Sequence, residues 1–174
     1  MDKKEDVFYG AIQGFDEEKK TVESIILHYD SPNENYWVAK AGSLDSFIER
    51  IKKAGKGVSA CYQHDERVLI GKWNNFRVDG IALIGTLTLS DTPFVRDTVI
   101  PQLKEKTLQG SSPTISSISG MFDNETGIYA IVEGALCEIS LVGLPADLEA
   151  NITKVAAKIE QQKQENFEIE LLTL

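Results

Sequence analysis

Two predicted strands meet in the segment Tyr62-Gln63-His64-Asp65-Glu66-Arg67-Val68-Leu69-Ile70-Gly71-Lys72-Trp73, which holds one of the two histidines of the chain. Strands are predicted at Val58–Tyr62 and Val68–Phe76, so His64 is expected in a charged turn between them. Histidine is the side chain that most readily accepts or donates a proton under physiological conditions. We therefore interpret His64 as a candidate general base and expect its nucleophile downstream, in Gly110-Ser111-Ser112-Pro113.

Size and composition indicate one globular domain with its own core, because the chain has 174 residues of which 42% are hydrophobic and 26% charged. The net charge of -9 argues against a nucleic-acid partner, since phosphate binding requires clustered Lys and Arg. No run reaches transmembrane length, and the first residues lack the apolar core of a signal peptide. A cytosolic protein without a membrane partner is expected.

The two cysteines, Cys61 and Cys137, have neither CxxC spacing nor histidines close by in sequence. This pattern argues against a zinc site, and no metal or other cofactor is predicted. Both thiols are expected to be free and buried, in a reducing compartment.

Hydrophobic periodicity predicts an α+β domain with a mostly antiparallel, barrel-like sheet that is closed or nearly closed, and a few flanking helices. A hairpin is expected around Val78-Asp79-Gly80, and Gly110–Pro113 is predicted to be a tight loop. The predicted strands are Val7–Phe15, Val22–Tyr29, Tyr36–Ala39, Val58–Tyr62, Val68–Phe76, Ile81–Leu89, Thr114–Phe122, Ile128–Glu133 and Leu136–Val142.

Three helices are predicted. The first has Ser43 as its N-cap and Gly55 just beyond its end. The second begins at Thr92, and Pro101 is expected to kink or split it. The third follows Asp147, where an apolar stripe (Leu148, Ile152, Val155 and Ile159) gives way to a polar end.

A serine hydroxyl becomes a good nucleophile only when a neighbouring base removes its proton and a third group orients that base. Ser112 is the first candidate nucleophile, although Gly-Ser-Ser-Pro is also ordinary turn chemistry. Rival hydroxyls follow on the next strand: Ser116, Ser117 and Ser119. The other histidine, His28, is interpreted as structural.

Glu138 lies in the strand Leu136–Val142, on the same face as Ser140. It could belong to a solvent-facing side of the sheet, or it could orient a histidine as the acid of a triad does. The residues alone thus support a β-rich cytosolic domain with a candidate serine hydrolase site.

Taken together, these segments resemble the tailed-phage prohead (capsid maturation) protease family, whose fold is related to that of the herpesvirus assemblins. The resemblance runs from about Phe8 to Ala146. It is carried by a common order and spacing of motifs: Tyr9-Gly10-Ala11-Ile12, Gln63-His64-Asp65 with Leu69-Ile70-Gly71-Lys72, Phe94-Val95-Arg96-Asp97, Gly110-Ser111-Ser112, and Leu136-Cys137-Glu138-Ile139-Ser140-Leu141-Val142-Gly143-Leu144-Pro145-Ala146.

The resemblance implies that His64 is the base, Ser112 the nucleophile and Glu138 the third member of the triad. One departure leaves a second register open. The family continues Ser-x-Gly-Phe, whereas this chain has Ser112-Pro113-Thr114-Ile115, with Ser-Gly-Met-Phe only at 119–122. Ser116 or Ser117 would be the nucleophile in that register.

The implied function is a serine endopeptidase that cleaves the scaffold protein, or the scaffolding segment of the capsid protein, and its own tail. It would act inside the assembling prohead in the bacterial host cytoplasm, with homo-oligomerisation left open. Residues 1–146 would form the catalytic domain, and 147–174 a C-terminal helix and polar tail. The alternatives are a non-enzymatic module that binds the capsid scaffold, and an unrelated β-barrel hydrolase.

Overall fold

A computed structural model describes residues 12–146, with side chains from Gly14 onward. The beginning of the predicted first strand and the predicted helix and tail at 147–174 lie outside the described residues. The described part contains the strands β1 (Ile12–Asp16), β2 (Thr21–His28), β3 (Trp37–Ala39), β4 (Val58–Tyr62), β5 (Asp65–Asp79), β6 (Ala82–Leu89), β7 (Gly110–Asp123) and β8 (Ile128–Val142), and the helices α1 (Asp45–Lys53) and α2 (Ile100–Lys104).

The strands form one eight-stranded sheet in the order β1-β2-β6-β5-β4-β8-β3, with β7 paired to β8. Most pairs are antiparallel, but β8 pairs in parallel with both β3 and β4. The α+β class is confirmed, whereas the closed barrel is not, because no ladder joins β7 to β2 among the described residues. β8 is therefore the branching strand of an open sheet.

Side chains bridge the gap between β2 and β7 where a closed barrel would have a main-chain ladder. Ser111 Oγ donates to the carbonyl of Ile25 at 2.8 Å and lies 2.8 Å from Ser24 Oγ. Both serines are buried. The sheet thus curls until its two sides touch, which brings the beginning of β7 into the interior.

Two predictions for the second half of the chain are wrong. Gly110–Pro113 is not a loop but the beginning of β7, where Ser111 and Ser112 pair with Leu141 and Ser140. The two strands predicted at Ile128–Glu133 and Leu136–Val142 are one continuous strand. Long-range pairing with a strand of nearly equal length overrides the turn propensity of Gly, Ser and Pro here.

The helix ends agree with the sequence in part. Gly55 follows the last residues of α1 with a φ of +62°, as predicted for a C′ glycine. Ser43 is not the N-cap, because its buried hydroxyl has no hydrogen-bond partner and Leu44 occupies the cap position. The Thr92 hydroxyl accepts the N–H of Val95 at 3.3 Å, so that predicted cap is confirmed.

The sequence predicts a kink or a split of the helix at Pro101, because proline lacks the N–H that a regular helix needs. The segment before it, Val95–Val99, forms a π-helical turn that continues directly into α2.

Trp73 is the largest fully buried side chain and ties the sheet together through the core. Its indole N–H donates to the carbonyl of Ile139 on β8 at 3.0 Å. Cys61 is also buried, and burial raises the pKa of its thiol to about 11. Cys137 is exposed, so the prediction of two buried thiols is wrong for that residue.

We expect Gly71→Ala to lower the free energy of unfolding by about 1–3 kcal/mol, since a Cβ there would lie 2.2 Å from the carbonyl oxygen of Thr88 in the neighbouring strand. Urea unfolding measures the change. Gly14→Ala is the matched control, because no atom lies within 4 Å of its added Cβ. Equal stability of the two variants would contradict this packing.

Candidate active site

His64 lies in a tight hairpin turn between β4 and β5. Tyr62 pairs with Asp65, and the two residues between them have positive φ angles, 52° for Gln63 and 60° for His64. Positive φ at both central positions is the geometry of a type I′ turn, which suits right-twisted strands but which non-glycine residues adopt at a cost. The predicted charged turn is thus a two-residue hairpin loop.

Two main-chain donors hold this turn against β8. The N–H of Gln63 donates to the carbonyl of Leu141 at 3.0 Å, and the N–H of His64 donates to Ser140 Oγ, also at 3.0 Å. The His64 side chain remains 47% exposed. His64 is therefore fixed at its backbone while its ring reaches solvent.

Glu138 lies beneath the imidazole on β8 and is only 4% exposed. Its Oε1 is 2.9 Å from His64 Nδ1 and also accepts the Thr114 hydroxyl, while Oε2 accepts the Ser140 hydroxyl at 2.7 Å. An ionised carboxylate can only accept hydrogen bonds, so this contact places the imidazole proton on Nδ1. Nε2 is then the ring nitrogen that can accept a proton.

Ser112 lies on β7 directly opposite Ser140 and is 6% exposed. Directly paired residues of an antiparallel ladder share a face with Cβ atoms about 5 Å apart. Ser112 is therefore one ladder step from the hydroxyl that contacts both His64 and Glu138. Among the described contacts, no hydrogen bond joins Ser112 Oγ to the imidazole.

The rival serines lie further along β7. Ser116 pairs with Ala135, and Ser117 Oγ is 2.9 Å from the hydroxyl of Tyr129. At roughly 3.3 Å per residue, Ser117 is about 16 Å along the strand from Ser112. Ser119, which pairs with Glu133, is further still. Of these serines, Ser112 is thus the one whose ladder partner, Ser140, contacts both His64 and Glu138.

A groove with a cavity volume of about 450 Å³ is lined in part by His64 and Ser112. None of its lining side chains is acidic, and none is basic apart from His64. The lining residues are Asn35, Tyr36, Trp37, His64, Ser112, Pro113, Thr114, Ile115, Ser117, Tyr129 and Ile131. The groove can therefore accept an extended chain that presents apolar or neutral side chains.

Glu138 has two interpretations at the level of sequence, and its burial excludes the solvent-facing one. The interpretation of Glu138 as a triad acid did not include two hydroxyls that bond to its carboxylate, those of Thr114 and Ser140. Strand alternation signalled Ser140, which shares a face with Glu138. No sequence pattern signalled Thr114, because its position opposite Glu138 depends on the register of β7 and β8.

The described residues contain neither a metal-binding cluster nor a membrane-spanning helix. Within 12–146, no three His, Cys, Asp or Glu side chains lie close enough together to hold a metal ion. No helix in that range is long and apolar enough to cross a membrane. His28 is buried in β2 and borders a small cavity between β2 and β7, not the groove.

Comparison with solved structures finds the fold in the capsid assembly protease gp21 of bacteriophage T4. The similarity has a TM-score of 0.55 at 14% sequence identity and covers 70% of this chain and 80% of that one. No curated protein matches the sequence. The family model for the caudovirus prohead serine proteases, Peptidase_S78, matches residues 4–165, and so the chain belongs to the caudovirus prohead serine protease family.

Proposed function

We propose that this protein is a capsid-maturation endopeptidase with Ser112 as nucleophile, His64 as general base and Glu138 as the residue that orients and charge-stabilises the imidazole. The observation that carries the proposal is the 2.9 Å contact between His64 Nδ1 and the buried Glu138 carboxylate, beside the groove that Ser112 lines. Family membership supports serine protease chemistry at this site.

In the proposed reaction, Ser112 Oγ attacks the carbonyl carbon of the scissile peptide while its proton passes to His64 Nε2. The tetrahedral intermediate then collapses: the C–N bond breaks and Nε2 returns the proton to the leaving amine. Water repeats the sequence on the acyl-enzyme, forming the new carboxyl group and freeing Ser112. Glu138 keeps its negative charge throughout and stabilises the imidazolium that forms twice.

Ser112 needs a side-chain rotation in this mechanism, because its hydroxyl is not hydrogen-bonded to the imidazole. Contacts between nucleophile and base often tighten only when substrate is bound. Rotation about one staggered torsion moves the hydroxyl without moving β7. The proposal therefore requires the Ser112 hydroxyl to rotate toward Nε2 when substrate binds.

The proposed substrates are the scaffold protein, or the scaffolding segment of the capsid protein, cleaved inside the prohead. The capsid assembly role of the structurally similar T4 protein supports this assignment. The protein's own C-terminal segment is a further proposed substrate. Ala146, from which that segment continues, borders the same small cavity as Ser112, and its carbonyl accepts the N–H of Glu34 at 3.1 Å.

We expect Ser112→Ala to abolish cleavage of co-expressed capsid or scaffold protein, with a loss on the order of 10⁴-fold or more, because the attacking oxygen is gone. Gel electrophoresis and mass spectrometry of the products measure it, and labelling by a fluorophosphonate should disappear in parallel. Ser119→Ala is the matched control on the same strand, since Ser119 does not line the groove, and this variant should cleave normally. Persistent cleavage by Ser112→Ala would reject this nucleophile. A wild-type protein that neither cleaves nor labels during assembly would favour the binding module.

Glu138→Gln should reduce the fluorophosphonate labelling rate by roughly 10²–10⁴-fold, because a neutral amide neither selects the Nδ1–H tautomer nor stabilises the imidazolium. Glu133→Gln, which removes an exposed carboxylate from the same strand, is the control. Circular dichroism checks that both variants fold. Unchanged labelling in folded Glu138→Gln would remove Glu138 from the mechanism.

A further inference from the structure

Ser140 is fully buried on β8, with an exposed fraction of 0%, and does not line the groove. Its hydroxyl nevertheless contacts two separate parts of the candidate site. It lies 3.0 Å from the main-chain nitrogen of His64 and 2.7 Å from Oε2 of Glu138. One buried oxygen thus joins the backbone of the proposed base to the carboxylate that orients its ring.

The direction of each hydrogen bond follows from the chemistry of the groups. A main-chain N–H can only donate, so the Ser140 oxygen accepts from His64, and its single proton is left for Glu138. Glu138 in turn accepts from His64 Nδ1 at 2.9 Å. The three residues form a closed ring of hydrogen bonds that begins at the His64 backbone and returns to the His64 side chain.

The backbone at His64 requires such support. Its φ of 60° lies in the left-handed region, which is unfavourable for a residue with a Cβ. The neighbouring turn residue is held by a main-chain acceptor, the carbonyl of Leu141. For the His64 N–H the acceptor is a side chain, and so a single substitution can remove it.

We propose that Ser140 is a positioning residue for the protease reaction: it fixes the His64 backbone and the Glu138 carboxylate relative to one another, so that Nε2 points into the groove. This rests on the proposed function of His64 and Glu138 but concerns a residue that touches no substrate. If Ser140 mattered only because its side chain is small, alanine would fit the same space and could replace it without consequence.

Ser140→Ala is the test, because it removes the oxygen and almost no volume. The second-order rate of Ser112 labelling by a fluorophosphonate should fall about 10–100-fold, as expected when a catalytic group is displaced by about 1 Å. Ser140→Thr keeps the hydroxyl and should restore most of that rate. Ser43→Ala is the matched control: Ser43 is a buried serine before α1 whose hydroxyl has no hydrogen-bond partner and which does not line the groove.

Nuclear magnetic resonance gives a readout that would not change if only the size of the side chain at position 140 mattered. In the wild type, the Nδ1 proton of His64 should be visible, and the His64 amide should exchange with solvent about as slowly as that of Gln63. In Ser140→Ala both signals should exchange at least about tenfold faster, whereas Ser43→Ala leaves them unchanged. The wild-type amide measurement remains available even if a variant fails to fold.

Labelling and NMR signals of Ser140→Ala equal to wild type would overturn the proposal. So would an equal loss in Ser43→Ala, or a wild-type His64 amide that exchanges like an exposed turn. Failure of the proposed function has a different signature: wild-type protein that is not labelled at Ser112 at all. The NMR arm then still decides whether Ser140 positions His64.

Discussion

The docking of the Gln63-His64 turn onto β8 is the contact on which the candidate site depends. Two main-chain N–H groups of that turn find acceptors on Leu141 and Ser140, one residue apart along the strand. The parallel pairing of β4 with β8 delivers the turn to this point. Without it, His64 would be an exposed residue at a hairpin tip, with no fixed relation to Glu138.

β8 contributes to several parts of the structure because it is long and pairs with three other strands. One edge pairs with β7 over its whole length, while the other is shared between β3 and β4. It therefore supplies Glu138 and Ser140, determines the position of Ser112 opposite Ser140, and receives the Trp73 hydrogen bond from the core. A rigid strand is a better platform for a catalytic group than a loop, because its side chains are held by packing on both sides.

The site combines a buried acid with an exposed base. Glu138 lies in the interior and is surrounded by donors, so its carboxylate needs no water to satisfy it. The His64 ring and the groove face solvent. Glu138 contacts this ring from the interior, while the ring itself borders the groove. The fold is common to this chain and the T4 protein at 14% identity.

Much of the local structure could be predicted from the sequence. Apolar alternation indicated β2, β4 and β6, and Gly55 marked the end of α1. Thr92 marked the beginning of the second helical segment, and Pro101 marked the place where its π-helical turn gives way to α2. These signals are local, since each depends on a few neighbouring residues. The motif order around His64, Ser112 and Glu138 likewise indicated the prohead protease family, which the family model confirms.

Tertiary structure decided the rest. Gly110–Pro113 has the composition of a turn but forms strand, because β8 offers it a complete ladder of partners. The open, branched sheet depends on which edges of β8 remain available to β3 and β4, and side-chain periodicity carries no such information. Thr114 and Ser140 become partners of Glu138 only once the strand register is set. The sequence by itself determined which residues can do chemistry and most of the segments that form strands. Only the folded chain determined which of those residues meet, because hydrogen bonds between distant strands depend on register and on burial that no local pattern records.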